Sequence, residues 1–155
     1  MVKPIPDGYA SVTPYLIVQG AAQAIEFYKK AFNATERMRM PAPTGLIMHA
    51  ELEIGGSVIM LTDEHPGMDC NKSPKTLGGS PIGIHLYVKD VDTIFQQAVA
   101  AGATVERPVQ NQFYGDRSGG LIDPFGHRWN ISTHVEDVPP AELGKRAAAA
   151  MCQKE

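Results

Sequence analysis

Polar side chains that could bind or transform a ligand take every second position in residues 128–134. These are Arg128, Asn130, Ser132 and His134, with Trp129 and Ile131 between them. In a β-strand, successive side chains point to opposite faces, so the polar groups share one face. That face is either solvent-exposed surface or the lining of a binding pocket, and the pattern is compatible with both.

A second polar set lies in residues 49–53. His49, Glu51 and Glu53 alternate there with Ala50 and Leu52. The three polar groups therefore share a strand face opposite the apolar residues. This face is either turned inward, towards a cavity, or exposed at the edge of the sheet. A carboxylate beside an imidazole is a combination suited to general acid–base chemistry.

Arg117 is a third candidate, because its planar guanidinium matches the geometry of a carboxylate or phosphate. In one interpretation it binds an anionic ligand at the mouth of a cavity, with Tyr114 packed beside it. In the other it pairs with Asp116, Asp123 or Glu51 and stabilises the surrounding hairpin.

Composition limits the classes of function. The chain has 155 residues, with 14 Lys and Arg against 17 Asp and Glu, so its net charge is −3. It has no basic stripe, which argues against nucleic-acid binding. No apolar run approaches the roughly 18 residues of a membrane span, so we expect a soluble cytoplasmic protein. Cys70 and Cys152 are isolated and fit a reducing compartment.

Hydrophobic periodicity and turn residues divide the first half into a strand, a helix and three strands. Gly55-Gly56 is predicted to form a two-residue hairpin turn between the last two strands, and Asn33 to end the helix. The predicted elements are Val12–Val18, helix Ala21–Phe32, Glu36–Met40, Leu46–Ile54 and Ser57–Thr62.

The second half repeats this order with an offset close to 70 residues, so that Val18 corresponds to Val88 and Gly56 to Gly126. Its predicted elements are Ile82–Val88, a helix between Asp90 and Gly102, Ala103–Val109, Asn111–Tyr114, Ser118–Asp123 and His127–Thr133. The repeat predicts an α+β fold of two tandem βαβββ modules, about 12–62 and 82–134, forming a curved mixed sheet around a cavity. Residues 63–80 are then a linker or lid, and 139–155 a helical tail.

The βαβββ repeat, the helix end FYKKAFNA and the hairpin DPFGHRW resemble the vicinal oxygen chelate superfamily, which includes glyoxalase I, bleomycin-resistance proteins and extradiol dioxygenases. The stretches HAELEIGGSVIMLTDE, IHLYVKDVD and YGDRSGGLIDPFGHRWNISTHVEDV resemble its PhnB-like branch. The resemblance covers roughly Val12–Asp137. It implies a single glyoxalase-like domain across residues 1–155, a small-molecule cavity and a twofold homodimer. It does not imply one particular reaction.

The superfamily's metal enzymes carry ligands at four strand positions, which the resemblance places on Thr13, Met60, Gly83 and Asn130. The 70-residue offset agrees with this alignment, since it relates 13 to 83 and 60 to 130. These residues offer no carboxylate, imidazole or thiolate. We therefore expect no metal at these positions and no cofactor.

Other residues could still bind a divalent metal such as Zn, Fe or Mn. Counting in steps of two from the superfamily positions places His85 and Tyr87 on one cavity-facing strand and His134 on another. If the face that carries His49 and Glu51 also points inward, the alternative metal site consists of His49, Glu51, His85 and His134.

Two classes of function follow from the resemblance. One is a glyoxalase-type lyase or isomerase that transfers a proton beside a carbonyl, with Glu51 or His85 as the base. The other is a protein that sequesters a small molecule or antibiotic without changing it. In either case the expected ligand-binding residues are Thr13, Tyr15, Met60, Tyr87, Tyr114, Arg117, Asn130 and His134.

Overall fold

Two four-stranded sheets form the framework of the protein, and the first is built from residues 15–63. The structure, a computed structural model, describes residues 2–67 and 70–152. The first sheet, sheet A, has the strand order β1-β4-β3-β2, in which β1 pairs parallel to β4 and the other pairs are antiparallel. Its module comprises β1 (Tyr15–Val18), α1 (Ala21–Phe32), β2 (Thr35–Pro41), β3 (Ile47–Ile54) and β4 (Ser57–Asp63).

The second sheet follows a connection that contains one short helix, α2 (Pro74–Leu77). Sheet B has the order β5-β8-β7-β6 and repeats the parallel pairing of its first and last strands. Its module comprises β5 (Gly83–Tyr87), α3 (Val91–Ala101), β6 (Thr104–Asn111), β7 (Asp116–Ile122) and β8 (Arg128–His134). The predicted α+β fold with two βαβββ modules is confirmed.

Local signals located most element boundaries correctly. Helix α1 has its predicted ends, and Asn33 follows it in the left-handed conformation with φ 55°. The predicted strand Asn111–Tyr114 is wrong, because only Asn111 pairs and the next residues form the turn between β6 and β7. In that turn, the Gly115 amide donates a hydrogen bond to the Gln112 carbonyl. A sequence rich in β-forming residues was therefore overruled by the geometry of the hairpin.

One hydrophobic core joins the two modules, and α1 packs beside α3 within it. Trp129 and Ile131 on β8 are buried together with Ile25 on α1. Helix α3 lies so close to β7 that a Cβ atom added at Gly119 would lie 2.5 Å from the Phe95 ring. Glycine at position 119 therefore permits the close approach of helix and sheet.

The connection between the modules is anchored at both ends of its described part. Buried Asp63 accepts hydrogen bonds from the Gly20, Ala21 and Ile47 amides. Glu64 accepts hydrogen bonds from the Ser73 amide and the Thr76 hydroxyl. These contacts hold α2 near β1, whereas a role of this connection as a lid remains a prediction.

A final helix, α4 (Pro140–Cys152), corresponds to the predicted tail as far as residue 152. Two charge-assisted hydrogen bonds from Arg146 to Glu136 hold it to the segment that precedes it. Within residues 2–67 and 70–152, no helix has the length and apolar character that a membrane span requires.

Candidate functional site

Each sheet has one face towards its helix and an opposite face, which we call the distal face. On sheet B, Ile131 is the partner of Gly119, which lies against Phe95 of α3, and Trp129 on the same face packs against Tyr28 and Phe32 of α1. The alternating side chains therefore belong to the distal face, namely Arg128, Asn130, Ser132 and His134. On sheet A, Leu61 lies towards α1, so Met60 lies on the distal face. The period-two prediction of a shared polar face on β8 is thus confirmed.

Four residues in register form a row across the entire distal face of sheet B. His85 on β5 is the partner of Asn130 on β8, Asn130 is the partner of Gly120 on β7, and Gly120 is the partner of Arg107 on β6. Neighbouring strands lie about 5 Å apart, so the four positions span about 15 Å. We call these four residues the polar row.

The Arg107 guanidinium reaches along the row towards β8. Its Nη1 lies 3.3 Å from Ser118 Oγ and its Nη2 lies 3.5 Å from Asn130 Oδ1. Gly120, between them, has no side chain to block this path. The guanidinium, the Asn130 amide and the His85 imidazole therefore lie on three strands of the same sheet, side by side.

The polar row ends at a crevice between the two modules. This crevice has a volume of about 340 Å³, and its lining includes Val12, Ile54, Val58, His85 and Leu86. The His85 ring contacts the Tyr87 ring at a centroid distance of 4.7 Å. Within the described residues, the His85 imidazole makes no hydrogen bond, so both of its nitrogens can serve a ligand.

A second cluster surrounds buried Asp116 on the same distal face. His134 Nδ1 lies 2.8 Å from Asp116 Oδ1, the Tyr87 hydroxyl donates a hydrogen bond of 2.8 Å to Asp116 Oδ2, and His134 Nε2 lies 2.9 Å from Asp137. Burial raises the pKa of Asp116, but hydrogen bonds from His134 and Tyr87 outweigh burial and hold that pKa below its ordinary value. The Asp116 bond is the main reason that the pKa of His134 is raised.

A third cluster lies on the distal face of sheet A, around Glu51. The Tyr9 hydroxyl donates a 2.5 Å hydrogen bond to Glu51 Oε2, and His49 Nε2 lies 3.2 Å from Glu51 Oε1. The Tyr15 hydroxyl lies 3.1 Å from the other ring nitrogen, His49 Nδ1, and so extends this series of hydrogen bonds. Burial raises the pKa of Glu51, but the Tyr9 and His49 hydrogen bonds leave it below its ordinary value. Glu51 is therefore a bonded, ionised carboxylate.

The two catalytic candidates lie in different clusters. Glu51 contacts Tyr9 and His49, whereas His85 contacts Tyr87 on sheet B. In the described ranges 2–67 and 70–152, no three His, Cys, Asp or Glu side chains are placed to hold one metal ion. Within one protomer, the set His49, Glu51, His85 and His134 is thus divided between the sheets.

The superfamily metal positions also carry an unsuitable donor set. Met60 lies in register with Glu51 on sheet A, while a Cβ atom at Gly83 would lie 3.2 Å from Asn130 Nδ2 on sheet B. The Thr13 hydroxyl donates a hydrogen bond to the Ala10 carbonyl. A hydroxyl, a thioether, a glycine and an amide do not fit a divalent cation.

Arg117 is occupied by a structural ion pair. Its guanidinium donates two 2.7 Å hydrogen bonds to Asp92 on α3. Neither sequence interpretation included Asp92, although pairing with a carboxylate was one of the two. Tyr114 lies apart from this pair, with its hydroxyl 3.5 Å from Ser118 Oγ on the distal face.

Sequence reasoning missed Arg107, Ser118, Asp116 as a cluster centre, and Tyr9. Strand β6 changes register on both sides of Arg107, so counting in steps of two could not assign its face. The one available signal was Gly119-Gly120, because adjacent glycines in a strand indicate a close approach by other groups.

Comparisons with known proteins agree with this architecture. An uncharacterised protein of Mycobacterium tuberculosis is 47% identical over 135 residues, covering 86% of this chain and 79% of that protein. The crystal structure of TioX from Micromonospora sp. ML1 has a TM-score of 0.65 at 26% identity and covers 81% of this chain and 99% of its own. A PhnB protein from Bacillus cereus shares the fold, with a TM-score of 0.63 at 18% identity, and covers 80% of this chain and 99% of its own.

A sequence profile of the superfamily tests the predicted resemblance. The family profile matches residues 9–131, which include β1 to β7 and the first four residues of β8. This chain belongs to the glyoxalase/bleomycin resistance protein/dioxygenase superfamily.

Proposed function

We propose that the protein binds a small polar molecule at the polar row and the adjoining crevice, and that His85 transfers a proton to or from it. The observation that carries this proposal is the row itself, His85–Asn130–Gly120–Arg107, which crosses all four strands of sheet B in register. Groups on strands hold their positions more firmly than groups on loops.

His85 is better suited than Glu51 to act as the base. An imidazole can accept and return a proton near neutral pH, and this one has no hydrogen-bond partner within the described residues. Glu51 already receives hydrogen bonds from Tyr9 and His49, which lower its pKa and thus its basicity. The earlier hypothesis that Glu51 also acts as a base remains a prediction.

Sequestration without chemical change is the alternative function. Apolar residues such as Val12, Ile54 and Val58 line the crevice, and they favour binding by shape. Glu51 and Asp116, which are buried on the distal faces, are both already hydrogen bonded. A protein that only binds needs no free base.

A ligand screen followed by isotope exchange separates these functions. Thermal-shift screening of α-keto aldehyde–thiol adducts, small keto acids and glycopeptide drugs supplies ligands. Each stabilising compound is then incubated with the protein in D₂O, and the loss of its C–H signal is followed by NMR. We expect exchange with the natural protein and none with His85→Gln, which keeps the ligand bound.

His65→Gln is the matched control, because His65 lies in the connection and outside the polar row. It should exchange the ligand proton at the natural rate. Exchange that persists in His85→Gln would contradict the role of His85. Bound compounds that are recovered unchanged and undeuterated would instead support sequestration.

A further inference from the structure

We propose that the ligand of the polar row is a small organic acid, either a carboxylate or a phosphonate, and that Arg107 binds its acidic group. This inference rests on the proposed binding at the row and adds the chemical class of the ligand. It is carried by the contacts of Arg107, by the space beside it and by a neighbouring hydroxyl group.

The charge of Arg107 is left without a carboxylate partner in the described part of the chain. Its two hydrogen bonds go to the neutral oxygens of Ser118 and Asn130, and at 3.3 and 3.5 Å both are long for this kind of bond. Of the five other arginines, Arg39, Arg117, Arg128 and Arg146 pair with carboxylates. Arg37 donates a hydrogen bond to the Gly8 carbonyl and lies over the Tyr9 ring.

Nearby carboxylates do not compensate for this charge, because each is engaged elsewhere. Glu106, the preceding residue, pairs with Arg128 at 2.9 Å. Asp116, on the same face, is bonded to His134 and Tyr87. A guanidinium presents a planar fork that binds carboxylate or phosphonate oxygens in pairs. Because the described residues supply no such partner to Arg107, an acidic group of the ligand can take that place.

Gly120 provides room for such a group. It lies between Arg107 and Asn130 in the row, and a Cβ atom added there would meet its nearest atoms, on Glu106 and Arg107, at 3.4 and 3.5 Å. These are ordinary contacts, so the glycine is not required by close packing of the backbone. Its effect is to keep a side chain out of the path between the guanidinium and Asn130, at a point bordered by Glu106 Oε2.

Ser132 adds an unused hydrogen-bonding group beside the row. It is two residues from Asn130 on β8 and in register with Ser118, which contacts Arg107. Its hydroxyl is fully buried and has no hydrogen-bond partner within the described residues. An unpaired buried hydroxyl costs free energy, and an acid oxygen bound nearby would offer it an acceptor.

The arrangement also places the reacting part of the ligand. Arg107 reaches Asn130, and Asn130 is the strand partner of His85. An acid group at the guanidinium would therefore bring the carbon atoms next to it towards the imidazole, about one strand spacing away. Short acids with a carbonyl or another activating group beside the acid fit this spacing best.

Binding of three small probes tests the proposal. Pyruvate, methylphosphonate and neutral pyruvamide are titrated separately into the natural protein while the His85 ring signals are followed by NMR. We expect at least one of the two acids to shift these signals with saturation. If pyruvate binds more tightly than methylphosphonate, pyruvamide should bind at least tenfold more weakly than pyruvate. Comparison of pyruvate with methylphosphonate then distinguishes carboxylate from phosphonate ligands.

Variants at Arg107 complete the test. Arg107→Met should weaken binding of the acid at least about tenfold, as expected for the loss of a charged hydrogen bond, and Arg107→Lys should have an intermediate effect. Arg39→Met is the control, because this arginine lies on sheet A, outside the polar row, and is paired with Glu36. It should change the affinity less than threefold.

Failure of this inference differs from failure of the proposed function. If neither acid binds, or if Arg107→Met binds the acid as well as the natural protein, the inference is wrong. A neutral ligand from the thermal-shift screen that shifts the His85 signals would then leave the proposed function intact. If no screened compound shifts those signals, both proposals fail.

Discussion

The Tyr28 hydroxyl on α1 donates a 2.6 Å hydrogen bond to Asp123 Oδ2, in the turn between β7 and β8. This bond joins the two modules across 95 residues of sequence. Asp123 also accepts hydrogen bonds from Trp129 Nε1 and from the Phe125 and His127 amides. One buried carboxylate thus shapes the turn of module two and fixes it to the helix of module one.

Removing the Tyr28 hydroxyl should destabilise the protein. We expect Tyr28→Phe to lower the free energy of unfolding by about 1–3 kcal/mol, because a buried hydrogen bond to a charged group is lost. Urea denaturation measures the change. Tyr114→Phe is the control, since Tyr114 is 38% exposed and its hydroxyl lies 3.5 Å from its partner, and it should cost less than about 0.5 kcal/mol. An equal decrease in the free energy of unfolding for both variants would contradict the stabilising role of the Tyr28–Asp123 hydrogen bond.

The Asp116–His134 pair should make stability depend on pH within a defined window. The lowered pKa of Asp116 contributes stability that is lost as pH falls through its folded value, which lies below 3.8. The raised pKa of His134 contributes stability that is fully present below pH 6.5 and is lost as pH rises through its folded value. The pair therefore stabilises the folded protein most at pH values between the limit set by Asp116 and the limit set by His134.

His134→Gln provides the measurement. The difference in urea midpoint between the natural protein and His134→Gln should be largest at mildly acidic pH and should shrink above pH 6.5. His65→Gln is the control, because it makes the same substitution outside this pair. A difference that grows steadily from neutral to alkaline pH would be the wrong sign and would exclude this account of the pair.

Features set by local sequence were predictable from the sequence alone. The Asp90 carboxylate accepts a hydrogen bond from the Thr93 amide at the start of α3, and Asn33 ends α1 in the left-handed conformation. Both roles are typical of these residue types. Gly55 and Gly56 have φ values of 56° and 80° in the predicted hairpin turn. Such features depend on a few neighbouring residues, which the sequence displays directly.

Contacts between distant segments were not predictable in the same way. Tyr9 lies in a Pro-rich segment without periodicity, yet it bonds to Glu51, 42 residues away. Asp92 pairs with Arg117 only because α3 lies against β7. The side chain of Arg107 could not be assigned to a face because β6 changes register on either side of it. The polar row therefore needed the structure, although His85 and Asn130 were candidates from the start.

A homodimer remains a prediction that can be measured. Strand β2 is an edge of sheet A, and the side chains of Met38 and Met40 along it are 38% and 47% exposed. Apolar side chains on an unpaired edge favour association. Light scattering at micromolar concentration should give about twice the chain mass of 16.8 kDa.

Charge at this edge should weaken the dimer. The double variant Met38→Lys/Met40→Lys is expected to raise the dimer dissociation constant at least tenfold. Met151→Lys is the control, because that side chain is exposed on α4 and is not part of the edge strand. A natural protein with a mass near 16.8 kDa would refute the dimer, and a dimer indifferent to both lysines would place the interface elsewhere.

The Tyr9 hydroxyl should control the ionisation of Glu51. Burial raises the pKa of this carboxyl, and the Tyr9 bond is the largest effect that opposes it. Tyr9→Phe removes the bond and leaves much of the surrounding protein in place, so the pKa of Glu51 should rise. Carboxyl ¹³C signals followed by NMR through the acid range measure this shift. Tyr15→Phe is the matched control, because Tyr15 bonds to His49 and not to Glu51, and it should have the smaller effect. If both variants titrate like the natural protein, the Tyr9 bond does not hold Glu51 ionised, and Glu51 becomes a stronger candidate for a free base.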